Sequence, residues 1–484
     1  MLQILLKKDI GGEIMQDFDI VIGLEVHAEL KTNSKVFCSC KNQFGQAPNT
    51  NCCPVCVGLP GALPVINKKA IELVIKAGLT MGCEINELAI FERKNYFYPD
   101  LAKAYQISQL VRPICLGGHI ELKDKDVRLN RIHLEEDAGK LVHGTQAIGT
   151  LIDYNRGGVP LMELVTEPDI TSADEAVEFL TKLRQKLIYA GVAECKMEQG
   201  GMRCDVNISV KPKGSDKLGQ RTEMKNLNSF KSVYRAINYE ANRQIEIIKN
   251  GGQIVQETRK WDDNHEKSIS MRKKETSSDY RYFPDPDMLA VEIPREDVER
   301  IRKSLPLMPD QLKAKFINEY GLSEYESDIL TKEKDLADYY NDVLSHYNQP
   351  KIVSNWILTE ILNKVKDEES EEIKISPCDL AKILKLVEDK TVTRTNAKEM
   401  LTRVWENGEK VEALVKEFGG NVDEEALKTL VENIIKNNPK AVEDYKTSDT
   451  PEKVFRWFTG QVMKETRGKA NAAKAEEYIR ELLK

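Results

Sequence analysis

At 484 residues the chain exceeds the size at which one hydrophobic core keeps growing, so two or three domains are expected. Hydrophobic residues make up 41% and charged residues 31%, as in ordinary globular proteins, and no apolar run approaches the ~20 residues that a bilayer-spanning helix needs. The net charge of -7 excludes a protein that coats nucleic acid by bulk electrostatics and leaves RNA contact to local basic patches.

Residues 1–17 read as a disordered extension, because Lys7, Lys8 and Asp9 interrupt the apolar Ile4–Leu6 stretch too early for a signal-peptide core. Residues 18–295 read as a mixed α/β region. In its first segment, strict alternation puts Ile20, Ile22, Leu24, Val26, Ala28 and Leu30 on one face and Glu25, His27 and Glu29 on the other. Same-face side chains on a strand sit about 6.6 Å apart. Two of these groups could therefore flank a divalent ion or a phosphate, and the same pattern also suits a solvated outer face.

Five of the ten cysteines fall between Cys38 and Cys56, which is how metal sites look in reducing compartments and points to the cytoplasm. Cys38 and Cys40, followed by Cys53 and Cys56, make two close pairs joined by a short loop, as tetrahedral structural zinc requires, with Cys52 to spare. Further on, His133-Leu134-Glu135-Glu136-Asp137 packs three carboxylates together, a hard-oxygen set for Mg²⁺ or an ordinary charged turn. Arg93 to Tyr98, Tyr154-Asn155-Arg156, Arg203 to Asn207 and Glu223 to Asn228 offer the fixed cations and amides that phosphoryl chemistry uses.

One helix is marked by Ser172 as its cap, Asp174 and Glu175 in its first turn and Gly191 after Tyr189; a second is expected over Ser229–Asn250. From Pro294 the texture turns to charged amphipathic helices, for example Asp310–Tyr320, Leu330–Tyr347 and Asp379–Glu388. A turn-rich break at Glu406-Asn407-Gly408 divides this half into a helical domain, 296–408, and a small helical tail, 409–484. The expected class is α+β: a mixed-sheet cradle, then an all-α domain and an α-helical tail. From Val454 to Lys484 seven basic residues face four acidic ones, and Lys464, Arg467 and Lys469 make a basic tip suited to RNA phosphates. There is no P-loop, no kinase catalytic loop, no synthetase signature and no compelling serine or cysteine nucleophile, so any ATP site is unorthodox.

Taken together, Val21 to His27, the cysteine cluster running into Gly58-Leu59-Pro60-Gly61, Arg93 to Asp100, Leu134 to Lys140, Glu223 to Ser229, Asp279 to Asp287 and Gly460 to Asn471 resemble the GatB family. These are the B subunits of aspartyl/glutamyl-tRNA amidotransferases, and the likeness runs from Phe18 onward. It departs at the tail, where Ala472 follows Asn471 instead of proline. The archaeal relative GatE carries a large synthetase-like insertion for which this length leaves no room.

The resemblance implies ATP-dependent phosphorylation of the side-chain carboxylate of Glu-tRNA(Gln) or Asp-tRNA(Asn), then amidation by ammonia. The ammonia would come from an amidase-type partner, GatA, with a small third protein, GatC, binding both. It implies magnesium ligands at Glu25, His27, Glu136 and Glu223, although imidazole suits softer metals. Lys94, Arg156 and Lys225 become candidates for charge stabilisation. Arg93, Asn155, Asp205, Asn207 and Asn226 become candidates for holding the nucleotide. The competing expectation is an adaptor that positions misacylated tRNA and has no chemistry of its own.

Overall fold

The computed structural model describes residues 17–143, 149–273, 279–367, 372–418, 424–447, 451–466, 470 and 472–483. They fall into two compact units, the first ending at Pro309 and the second starting at Asp310.

A ten-stranded sheet dominates the first unit. Its long strands are β1 (Phe18–Glu29), β2 (Asp126–Glu136), β3 (Pro160–Thr166), β4 (Met202–Pro212), β5 (Thr222–Leu227), β6 (Glu257–Asp262) and β7 (Lys267–Lys273). The spatial order is β7-β6-β5-β4-β1-β3-β2, extended at the β2 edge by Cys115–Leu116 and Glu84–Ile85. All these pairings are antiparallel except β5 with β6, which makes the sheet mixed.

The expected alternation in β1 decides which face of the sheet is dry. Ile22, Leu24, Val26 and Ala28 are almost wholly buried, while Glu25, His27 and Glu29 stand on the opposite side, half-buried. The dry face packs into a core with α1 (Lys68–Thr80), α2 (Ala173–Tyr189) and α3 (Phe230–Lys249). Both helices expected in this region form: the Ser172 hydroxyl accepts from the Glu175 N–H as its cap and the Ser229 hydroxyl from the Ser232 N–H, satisfying amides that a helix start leaves orphaned. α3 turns Val233, Ile237 and Ile245 into the core, each fully buried, and each such side chain contributes about 1.5–3 kcal/mol. A small three-stranded sheet of Glu92–Asn95, Tyr105–Ser108 and Phe283–Pro284 belongs to the same unit.

Every described element of the second unit is helical. The helix expected over Leu330–Tyr347 is two, Glu324–Lys332 and Lys334–His346, because Glu333 adopts extended backbone at φ -117° and ψ 138°. Leu427, Val431, Phe455, Phe458, Val462 and Ile479 pack into a core of their own. No described helix is long and apolar enough to cross a membrane.

Candidate active site

The polar face of β1 opens into a cavity of about 750 Å³. Register builds it row by row. His27 faces Glu163 on β3 and Arg203 on β4, Glu163 faces His133 on β2, and Glu25 faces Asp205 on β4. Asn207 pairs with Glu223 on β5, and Glu223 with Thr258 on β6. Neighbouring strands are about 4.8 Å apart, so charges far apart in sequence are forced into contact distance.

Two acidic groups result. In the first, His27 Nε2 lies 3.3 Å from Glu163 and 3.5 Å from Glu135, and His133 Nε2 lies 3.4 Å from Glu163. In the second, Glu25, Asp205 and Glu223 bring one carboxylate oxygen each to within 4.8 Å of one another. Asn207 Nδ2 donates to Glu25 at 3.0 Å, Thr258 donates to Glu223 at 2.7 Å, and Lys225 bridges Asp205 and Glu223. Lys94, Arg131, Arg203 and Arg221 also line the cavity, with Tyr96, Tyr280 and Tyr282.

The site is held in a strongly polarised state. Burial works against the charge on His133, but Glu163 and Glu135 outweigh it and lift its pKa to about 9. His27 is raised for the same reasons, against burial and chiefly through Glu163. Burial pushes the Glu163 carboxyl up, yet His133 and His27 hold it well below its usual range, so it stays ionised at neutral pH. Burial also opposes charge on Lys94, and Glu135 and Glu163 overcome it, so the ammonium persists.

Of the residues expected in the site, Glu25, His27, Glu223, Lys94, Lys225, Asp205 and Asn226 line the cavity. Asn226 takes a left-handed backbone, φ 67°, which asparagine tolerates, and its amide donates to the Trp261 carbonyl. Asn207 stands beside it, touching Glu25.

Glu136 does not join them. The period of two along β2 turns His133, Glu135 and Asp137 to the cavity and Glu136 to the other side, where it binds Lys103 and accepts from the Ile107 N–H at 2.9 Å. Arg93 is clamped by Asp285 and Asp287 at 2.9 and 2.8 Å, away from the cavity lining. Arg156 donates to the Ala138 and Gly139 carbonyls, and Asn155 accepts from the Asn51 N–H and donates to the Ala47 carbonyl. Both brace loops and do not line the cavity. Lys464 is exposed on the helix Pro451–Glu465, whereas Arg467 and Lys469 lie outside the described residues.

His133, Glu135 and Arg203 lie in strings that the sequence marks for Mg²⁺ or phosphoryl chemistry but does not single out one by one, and Glu163 is absent from those strings. The signal for Glu163 was there: it is the lone charge in the apolar strand Pro-Leu-Met-Glu-Leu-Val-Thr.

The donor sets suit two metals. Glu25, Asp205 and Glu223 offer hard carboxylate oxygens within 4.8 Å of one another, the ligand type that Mg²⁺ takes. Cys38, Cys40, Cys53 and Cys56 bring their sulfurs within 4.8 Å of one another, against about 3.8 Å between the sulfurs of a tetrahedral zinc. Cys52 turns instead toward Asn155, 3.8 Å away.

Residues 20–299 match the family model described as the GatB/GatE catalytic domain, and residues 338–483 match the GatB domain. Among the B subunits of aspartyl/glutamyl-tRNA(Asn/Gln) amidotransferases, that of Caldicellulosiruptor bescii is 50% identical over 478 residues, covering 96% of this chain and 99% of that relative. The protein of the same name from Caldanaerobacter subterraneus is 48% identical, again over 96% and 99%. That of Persephonella marina is 46% identical over 97% of this chain and 100% of its own length. Two domain matches that cover most of the chain, and relatives that align from end to end, make this protein a member of the GatB family.

Proposed function

We propose that this chain is the activating subunit of a tRNA-dependent amidotransferase, acting on Glu-tRNA(Gln), Asp-tRNA(Asn) or both. A side-chain carboxylate oxygen of the tRNA-bound amino acid attacks the γ-phosphorus of ATP, ADP leaves, and an acyl phosphate remains. Ammonia then attacks the acyl carbon, inorganic phosphate departs with the surplus proton, and the amide is formed.

The observation that carries this reading is the composition of the cavity. Carboxylates from Glu25, Glu135, Glu163, Asp205 and Glu223 share it with ammonium and guanidinium groups from Lys94, Arg131, Arg203, Arg221 and Lys225. Phosphoryl transfer between two anions asks for this mixture, because its catalysis is mostly positioning and charge neutralisation. Mg²⁺ bound by Glu25, Asp205 and Glu223 would screen the repulsion between carboxylate and triphosphate. Lys94, kept charged by Glu135 and Glu163, is suited to meet a γ-phosphate oxygen. Lys225 is suited to bridge a phosphate and the acidic group it now pairs with.

The same proposal assigns ammonia supply to a glutaminase partner of the GatA type, held with a small partner of the GatC type. It assigns tRNA phosphate contact to Lys464, Arg467 and Lys469, and structural zinc to the cysteine quartet. All ten cysteines are free, which supports a cytoplasmic setting. Hydroxylamine tests the central intermediate. Added to the complex with Glu-tRNA and ATP but without glutamine, it should trap a γ-glutamyl hydroxamate on the tRNA. Absence of hydroxamate from a complex that amidates normally once glutamine is supplied would rule out the acyl phosphate.

A further inference from the structure

Lys35 is fully buried, 0% exposed, and stands outside the reaction described above. Its Nζ donates to the Cys56 sulfur at 3.6 Å and to the Tyr154 carbonyl at 3.3 Å. No ion pair with a carboxylate is made by it among the described residues: Glu136, which like Lys35 lies beside Gly158, binds Lys103 and the Ile107 N–H through Oε1. A buried ammonium without a carboxylate partner is costly, and one carbonyl beside a single sulfur does not fully balance it. Four thiolates around a divalent ion do, because such a centre carries two surplus negative charges.

We propose that Lys35 is a positioning residue of the four-cysteine metal centre: its ammonium hydrogen-bonds the Cys56 thiolate, offsets part of the centre's negative charge, and ties it to the Tyr154 carbonyl. The inference rests on the zinc reading of the quartet. Its reach extends to the cavity wall. Tyr154 begins the turn whose Arg156 holds the Ala138 and Gly139 carbonyls, next to Asp137 in the cavity lining. The Lys35 backbone is fixed on the same side, its N–H donating to the Cys40 carbonyl at 2.9 Å. Val36 N–H reaches the Gly158 carbonyl at 2.9 Å, so Lys35 and Val36 add two links between the metal loop and the 154–158 turn to those that Asn155 makes with Asn51 and Ala47.

The test uses the full-length chain. Metal content of the wild type comes first; a chain purified without zinc, and unable to bind one equivalent, overturns the zinc reading and this inference with it. Lys35→Met keeps the length of the side chain and removes its charge. It should weaken zinc binding about 10- to 100-fold in competition with a chromogenic chelator, as loss of a partner behind a metal ligand does. With Co²⁺ in place of zinc, the thiolate charge-transfer band should move to lower energy, because the unbonded sulfur donates more freely. Weaker binding with an unmoved band means a role in packing only and overturns the proposal, as does wild-type affinity. If Lys35→Met fails to fold, pulse acylation of wild-type lysines decides: Lys35 should be protected with zinc and labelled once a chelator removes it. Equal labelling in both states would overturn the proposal.

Discussion

Replacing Glu163 by glutamine removes the carboxylate shared by two histidines while keeping its volume. Glu163 stands 3.3 Å from His27 and 3.4 Å from His133, and His133 is 3% exposed, so water screens little of the interaction. The rise of the His133 pKa from 6.5 to about 9 corresponds to about 3 kcal/mol of preference for the charged ring. A raised folded-state pKa contributes stability that is complete below pH 6.5 and is lost as pH climbs through about 9. Glu163→Gln should therefore cost up to about 3 kcal/mol at pH 6, the part of the shift that Glu135 does not sustain, less as pH rises from 6.5, and almost nothing from this source above pH 9. Carbon-13 labelling at histidine Cε1 reads this directly, since the chain has only 6 histidines and His133→Asn assigns the resonance. The wild-type His133 signal should titrate well above 7 and the variant's below it. Identical midpoints in the two proteins would refute the electrostatic account of this row.

The choice between adjacent carboxylates separates cavity from scaffold: Glu135→Gln should lower kcat for amidation about 100- to 1,000-fold. Glu136→Gln should leave kcat closer to wild type and lower thermal stability, by loosening Lys103 and the Ile107 N–H. Glu29 is lifted from 4.5 to about 7 by burial and by Asp137, so its contribution to stability should decline as pH rises from 4.5 to 7. Glu29→Gln should flatten that slope in urea titrations of the complex. Ending the chain after Lys453 removes the basic tip and should raise KM for charged tRNA while saturating tRNA restores most of kcat, which steady-state kinetics would show.

Much of the architecture was legible because it rests on local chemistry. Alternation in β1 announced a dry face and a reactive face, and the Ser172 cap and the Gly251-Gly252 stop announced two helices. What escaped was information carried by register. Glu135 and Glu136 look alike in sequence, and only the pleat of β2 against β3 decides which one points at His27. Arg93 read as a phosphate ligand, yet its partners Asp285 and Asp287 lie nearly two hundred residues on and arrive through the pairing of Phe283–Pro284 with Glu92–Asn95. Asp205 was marked for the nucleotide, and its contact with Glu25 and Glu223 arises because β4 lies between β1 and β5. The Glu333 break had no glycine or proline to signal it.

Cleavage of γ-labelled ATP by the purified complex, with and without Glu-tRNA, tests most directly whether this chain activates the carboxylate. Wild type should release label only when charged tRNA and Mg²⁺ are both present, and Glu25→Gln and Glu223→Gln should abolish release while tRNA still binds. Release at the wild-type rate in both variants would place the activation chemistry elsewhere and leave this chain as a tRNA-positioning subunit.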